Sequence, residues 1–329
     1  MKLSYLDLTT TDPAFNLAVE EFVFEHLPKD RMYLMLWQND NAIIIGKHQN
    51  TLAQINEVFV REHGIKVVRR LSGGGAVYHD MGNLNFTIIT DAEDTESLNF
   101  RLLCQPVIQA LARVGIKAEI NGRNDMTIDG KKFSGNAQYV RHGRVMHHGT
   151  ILFDSNGAVL AQALQVDEEK IRAKGVRSVR SRVTNVRPYL PVDMPLSEFR
   201  QILLESILEE NPGEAYILTD ADLAVIERLK QRYDSWEWNY GRSPECTLLK
   251  KQRVEGCGTV EAYLTVSQGV IRSVQFRGDF FSAADPEDLA QLLTGCRHQR
   301  DAIRAVLGGT DIQKYLMGLE PETLIRILT

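Results

Sequence analysis

The chain has 329 residues, 43% hydrophobic and 25% charged, with a formal net charge of −5 and an isoelectric point near 6.0. That length predicts one large or two ordinary domains with real hydrophobic cores, and the acidic balance excludes a general nucleic-acid binder. No apolar run approaches the ~20 residues of a membrane-crossing helix, and Cys104, Cys246, Cys257 and Cys296 are scattered without CxxC spacing, as expected of reduced cytoplasmic thiols.

The opening LSYLDLTT alternates and runs into Asp-Pro, so no signal peptide is expected. Leu3 to Leu8 predicts a first strand. Asp12 is placed to cap a helix with Pro13 at its first position and an apolar stripe of Phe15, Ala18, Val19 and Phe22. MYLMLW (Met32 to Trp37) and AIIIG (Ala42 to Gly46) read as a pair of strands, followed by a helix near Thr51 to His63. Ile65 to Arg70 is a strand running into a glycine loop, and Asn85 to Thr90 a returning strand. A helix covers roughly Leu98 to Val114. Asp129-Gly130 is a two-residue hairpin turn, and Thr150 to Phe153 extends the sheet. Short connections of this kind predict an α+β fold, with a mostly antiparallel sheet flanked by helices. A boundary follows the aromatic run Trp236 to Tyr240, where Gly241, Ser243 and Pro244 break the pattern. Beyond it, Val260 to Val266 and Val270 to Phe276 form a hairpin around Ser267-Gln268-Gly269. Helices are expected near Pro286 to Thr294, Asp301 to Val306 and in the last twenty residues. The predicted domains are 1–245 and a small α+β domain, 246–329.

Three clusters carry chemistry. RRLSGGGAVYHDMGN holds Arg69, Arg70, Ser72 and the glycines Gly73, Gly74 and Gly75. Consecutive glycines suit a backbone lying flush against a phosphate or nucleotide, and the arginines stand where an anion would want them. GRNDM and KKFSGNAQ follow, with Lys132 at the start of the strand returning from the turn, and then HHGT. Third, Lys170 to Arg187 holds seven Lys or Arg and no acid. Alone, each has an ordinary explanation: a surface loop, a solvated lysine, a solvated face. His147-His148 lacks zinc-ligand spacing.

Together these motifs, with DPAFNLAVEEFVF, KGVRSVRSRVTN and SWEWNYGRSP, resemble the two-domain lipoate–protein ligase A family across nearly the whole chain. The resemblance implies the fold of class II aminoacyl-tRNA synthetases and biotin ligases. It also implies activation of lipoate with ATP and Mg2+, and transfer to a lysine. The implied acceptors are lipoyl domains of 2-oxoacid dehydrogenase acyltransferase subunits and the glycine-cleavage H protein. A monomer is expected, with neither nucleic acid nor membrane as partner. The family's key lysine falls on Lys132, and its ATP-contacting segment on Gly75, Ala76, Val77 and Tyr78. Arg70 offers a fork of donors to phosphate or carboxylate. Ser72, His79 and His148 are candidate lipoate-pocket residues. Gly73, Gly74, Asn83 and Asn124 support the site, Asp125 is a thin candidate for magnesium, and Arg177, Arg180 and Arg182 form an adenylate-closing lid. Rival functions are an ATP-independent octanoyl or lipoyl transferase, a transferase using preformed lipoyl-AMP, a biotin ligase, and a non-catalytic lipoate or nucleotide sensor. A thiol transferase of this kind uses a cysteine late in the catalytic domain, and none lies between Cys104 and Cys246.

Overall fold

The computed structural model describes residues 2–91, 100–121, 124–164, 183–243, 246–278, 280 and 282–329. They divide into two compact units: one of residues up to 47 with 59–235, the other of 48–58 with 236–329. The division therefore falls at Trp236, ahead of the expected boundary at 246, and the second unit recruits a segment from early in the chain. That recruitment also alters the helix expected over Thr51 to His63. Only Glu57–Glu62 is helical. Thr51 instead turns its amide to the Ser243 hydroxyl at 3.1 Å, and Leu52 is buried in the second unit's core.

In the first unit, eight strands form a mixed sheet of order β11-β1-β2-β6-β10-β9-β8-β7. Here β1 is Lys2–Asp7, β2 Arg31–Trp37, β6 Asn83–Asp91, β7 Glu119–Asn121, β8 Asp125–Ile128, β9 Lys131–Arg141, β10 Arg144–Leu152 and β11 Gly213–Ala215. Pairings of β1 are parallel and the others antiparallel, as expected of a mostly antiparallel sheet. A second sheet, order β4-β3-β5, consists of Lys66–Arg69, Ala42–Ile45 and Val77–His79. The two strands read as a pair, β2 and β3, thus lie in different sheets; Asn41, at φ 47°, turns the chain between them. Asp129 (φ 51°) and Gly130 (φ 72°) make the expected tight turn between β8 and β9.

Period-two alternation divides the large sheet's faces. Leu34, Leu36, Leu84, Phe86 and Ile88 pack with Cys104, Val107 and Leu111 of helix α3 (Phe100–Arg113) and with Phe199, Leu203 and Ile207 of Leu196–Glu210. The opposite face carries Trp37, Asn85, Thr87 and His148. Polar strand residues there mark a site, since a buried polar group is costly unless bonded. Helix α1 (Pro13–His26) is buried on almost every side and packs on Asp220–Asp234, so its apolar stripe is wider than the four residues expected. Asp12 sits at its N-cap, but its side chain makes no capping bond; it pairs with Lys66 at 3.2 Å.

The second unit has a three-stranded antiparallel sheet, Cys246–Val254, Gly258–Ser267 and Val270–Gly278, with helices Pro286–Leu293, Arg300–Leu307 and Pro321–Leu328. The expected hairpin is present, with Gln268 and Gly269 at φ 52° and 70°. Its core joins Val260, Leu264, Ile271 and Val274 to Leu289, Ile303 and Leu324.

Candidate active site

A cleft of about 150 Å³ lies within the first unit. Residues far apart in sequence line it: Arg70 and Gly74 to Val77, Lys132 and Gly135 to Ala137, and His148 to Thr150, with His79, Asn85 and Asn124. Leu17, Trp37 and Ile44 supply apolar wall.

The glycine loop joins β4 to β5. Gly74 has φ +94°, and a Cβ there would stand 2.9 Å from an Arg70 Nη, so this position needs glycine twice over. Gly75 is different: a Cβ would meet nothing within 4 Å. Since Gly75 lines the cleft, a side chain there would take ligand space. Arg69 is fully buried and ties the chain to the carbonyls of Gly46 and Lys47. The Arg70 guanidinium donates to the Ser72 hydroxyl (2.9 Å) and to the carbonyls of Ile44 (3.2 Å), Gly73 (2.6 Å) and Gly75 (2.9 Å). Burial pulls its pKa down to about 10, opposed by the Glu20 carboxylate, so it stays cationic at neutral pH. Arg70 therefore grips the loop and puts a buried positive charge beside it.

Lys132 leaves the hairpin turn beside a bulge in the β8–β9 ladder. Its Nζ is 2.6 Å from Asp125 Oδ1, and both side chains are about 40% exposed. Its carbonyl accepts from the Thr184 amide at 2.8 Å, so the end of the basic run is stitched to the lysine's own strand. Asn124 and Asn136 exchange side-chain to main-chain bonds of 2.7 and 3.1 Å and hold the neighbouring wall. Gly149 admits no side chain: a Cβ would overlap Asn136 and Phe86.

On β10 successive histidines face opposite ways. His148 points to the cleft. Its Nδ1–H donates to Glu20 at 2.9 Å, and its Nε2 lies 2.6 Å from the Ser72 hydroxyl. Glu20, buried on α1, also accepts from Thr87, which in turn accepts from the Trp37 indole at 2.9 Å. A continuous chain thus runs Glu20–His148–Ser72–Arg70 to the glycine loop. His147 faces the core between Phe86 and Phe100, bonded to Gln138 at 3.0 Å and 3.6 Å from Cys104.

Of the residues expected to form the site, Arg70, Gly74, Gly75, Ala76, Val77, His79, Asn124, Lys132 and His148 line the cleft. Ser72 and Gly73 stand behind, as partners of His148 and Arg70. Asp125 is the partner of Lys132. Tyr78 is buried, with its hydroxyl on Asn41 (3.1 Å), and Asn83 bonds Asn85 (3.0 Å); neither lines the cleft. Arg177, Arg180 and Arg182 lie outside the described residues. Trp37, Ile44 and Asn85 had been assigned to strands with no part in the site. Leu17, Glu20, Gly135, Asn136, Ala137, Gly149 and Thr150 lay inside the quoted motifs but had been given no role.

Burial pulls both His79 and His147 down to about 3, helped at His79 by Arg70 and His148 and at His147 by His148. Unfolded, each histidine takes a proton near pH 6.5. Between 6.5 and 3 the unfolded chain therefore binds more protons than the folded one. Stability should be full above pH 6.5 and fall below it, by about 1.4 kcal/mol per pH unit for each histidine. Urea midpoints at pH 7.5, 6 and 5 test this: an unchanged midpoint would mean that both rings take up a proton in the folded state as readily as in the unfolded one.

Residues 12–208 match the model of the lipoyl protein ligase A/B catalytic domain, and 243–328 that of the bacterial lipoate protein ligase C-terminus. The chain is 43% identical over 321 residues to lipoate-protein ligase LplJ of Bacillus subtilis, covering 96% of this chain and 97% of that one. Among solved structures it is similar to a bipartite lipoate protein ligase studied with its E2 lipoyl domain from Thermoplasma acidophilum, with TM-score 0.66, 29% identity and coverage of 74% and 97%. It is similar also to a lipoate-protein ligase A bound with ATP, with TM-score 0.64, 26% identity and coverage of 74% and 100%. Both family models and the 43% identity over nearly the whole chain show that this chain belongs to one family, the lipoate–protein ligases.

Proposed function

We propose that the cleft joins lipoate to ATP, giving lipoyl-AMP and pyrophosphate, and that a lysine of a lipoyl domain then takes the lipoyl group. The enzyme is an ATP-dependent lipoate–protein ligase. The observation that carries the residue assignment is convergence: the glycine loop and Lys132 face one cleft. A carboxylate is too poor a leaving group to acylate an amine. Attack by its oxygen on the α-phosphorus expels pyrophosphate and leaves AMP as the later leaving group. Two anions must meet, and charge builds on the α-phosphoryl oxygens, so fixed cations and N–H groups in a partly dry site favour the step. Lys132 is the cation placed to touch both groups. Gly75, Ala76 and Val77 offer backbone approach to the nucleotide, and Arg70 holds that loop in shape while adding buried positive charge.

Magnesium accompanies ATP phosphates in many enzymes. Here the candidate carboxylate, Asp125, is already paired with Lys132, and no group of three potential metal-ligating side chains occurs among the described residues. No step is routed through a metal. A thiol-dependent transfer is disfavoured too: Cys104 is buried, its thiol pushed up to about 12 by desolvation. The proposed acceptors are lipoyl domains of 2-oxoacid dehydrogenase acyltransferases and the glycine-cleavage H protein, met by a monomer in the cytoplasm. Among the described residues no helix is long and apolar enough to cross a membrane.

The test is lipoate-dependent release of pyrophosphate from ATP without acceptor protein. Release supports the reading. Acyl transfer from preformed lipoyl-AMP or an acylated carrier without release would replace it with a transferase, and binding alone with a sensor.

A further inference from the structure

Within the cleft wall three buried polar atoms have no partner among the described residues: Asn85 Nδ2, Asn136 Oδ1 and Nε2 of His79, a residue 3% exposed, and the last of these can be assigned its proton. Its protonation follows from a chain of amides. The Asn16 Nδ2 lies 3.1 Å from the Thr10 carbonyl, 2.8 Å from the Gln38 carbonyl and 3.0 Å from the Asn39 Oδ1. An atom among three oxygens is the NH2 group, so Asn39 presents its oxygen to Asn16 and its own NH2 to His79. That NH2 lies 3.1 Å from His79 Nδ1, which must accept. A neutral imidazole accepting at Nδ1 carries its proton on Nε2. Burial keeps the ring neutral at physiological pH. The cleft wall therefore holds an uncharged N–H donor that no described residue uses.

A neutral donor in such surroundings suits a weak, neutral acceptor. The Trp37 indole stands edge-on to His79, with ring centroids 6.2 Å apart at 72°, and Leu17 and Ile44 complete an apolar wall. The acid head of a fatty-acyl ligand belongs with Lys132, so its tail belongs here. A plain eight-carbon acid offers this donor nothing and leaves it buried and unpaired, which is costly. Lipoate has the same chain length but ends in a five-membered ring with two sulfurs. Sulfur is a soft acceptor and packs well against aromatic rings. We propose that His79 donates its Nε2–H to a dithiolane sulfur of bound lipoate and thereby sets a preference for lipoate over octanoate. This rests on the reading that the cleft activates such acids.

The experiment compares kcat/KM for lipoate-dependent and octanoate-dependent pyrophosphate release in wild type, His79→Leu and His79→Gln. A buried donor left unpaired should cost octanoate roughly tenfold in wild type. His79→Leu should bring the ratio toward one, chiefly by slowing lipoate. His79→Gln carries an amide N–H close to the Nε2 position and should restore most of the preference. Alongside, nitrogen-15 spectra of histidine-labelled protein should show a protonated Nε2 at His79 that shifts with lipoate and much less with octanoate. An equal ratio in wild type, a preference undiminished in His79→Leu, or equal spectral shifts for the two acids would overturn the proposal. The spectra separate its failure from that of the adenylation reading: a lipoate-specific shift without pyrophosphate release would leave the His79 bond standing and remove the ligase step.

Discussion

Replacing Lys132 by alanine should lower lipoate-dependent pyrophosphate release by about 10²–10³-fold, the usual cost of removing one fixed stabiliser of transition-state charge. Folding should hardly change. The Lys132–Asp125 pair is about 40% exposed on each side, and exposed pairs contribute little to stability. Unfolding curves and release rates measured on the same preparation separate the two effects. A Lys132→Ala enzyme that still releases pyrophosphate at close to the wild-type rate would remove the lysine from the chemistry. Lys131, its neighbour, is exposed and outside the cleft wall, so Lys131→Ala serves as the control for lost charge.

Arg70→Lys should be nearly as damaging, for a different reason. The guanidinium serves four acceptors at once, three of them backbone carbonyls around the glycine loop. An ammonium is a point donor and cannot span that set. With bonds to charged groups contributing about 1.5–3 kcal/mol each, the variant should lose about 3 kcal/mol of stability. Misplacing the loop by an ångström should cost about 100-fold in pyrophosphate release. Both losses should appear together. Full stability with abolished activity would mean that the arginine acts on the ligand and not on its own loop.

The parts of this molecule that were legible in its sequence are those whose chemistry is local. An Asp-Gly turn announces itself through backbone conformation, and Asp129-Gly130 makes it; in the glycine run, Gly74 adopts a φ that favours glycine. The hairpin at Gln268-Gly269 was legible for the same reason. Glu20 was not. Its helix is buried on nearly all faces, so no apolar period singled out the turn that reaches His148. Asn85 looked like an ordinary strand residue, because only the register with β2 and β10 places it over the cleft. Residues 51–56 were read as part of a helix and are not helical, because packing partners of this segment lie beyond residue 235. Short-range pattern carries no information about so distant a partner. The arrangement of His79 with Asn39 and Asn16 is also tertiary: a strand, a connecting loop and a helix contribute one residue each.

The paired histidines of β10 have a consequence for how the chain finds its native state. His147 belongs in the core beside Gln138, and His148 beside Glu20. Sliding this strand by a single position moves one histidine into the other's place and a neighbour into the place it left. In one direction Gly149 replaces the imidazole beside Glu20, and in the other Met146 replaces the imidazole beside Gln138. Either wrong alignment thereby leaves one buried polar group without its ring. The two residues act as a proofreading mark for strand alignment, and a chain that has passed this check has also assembled its binding wall.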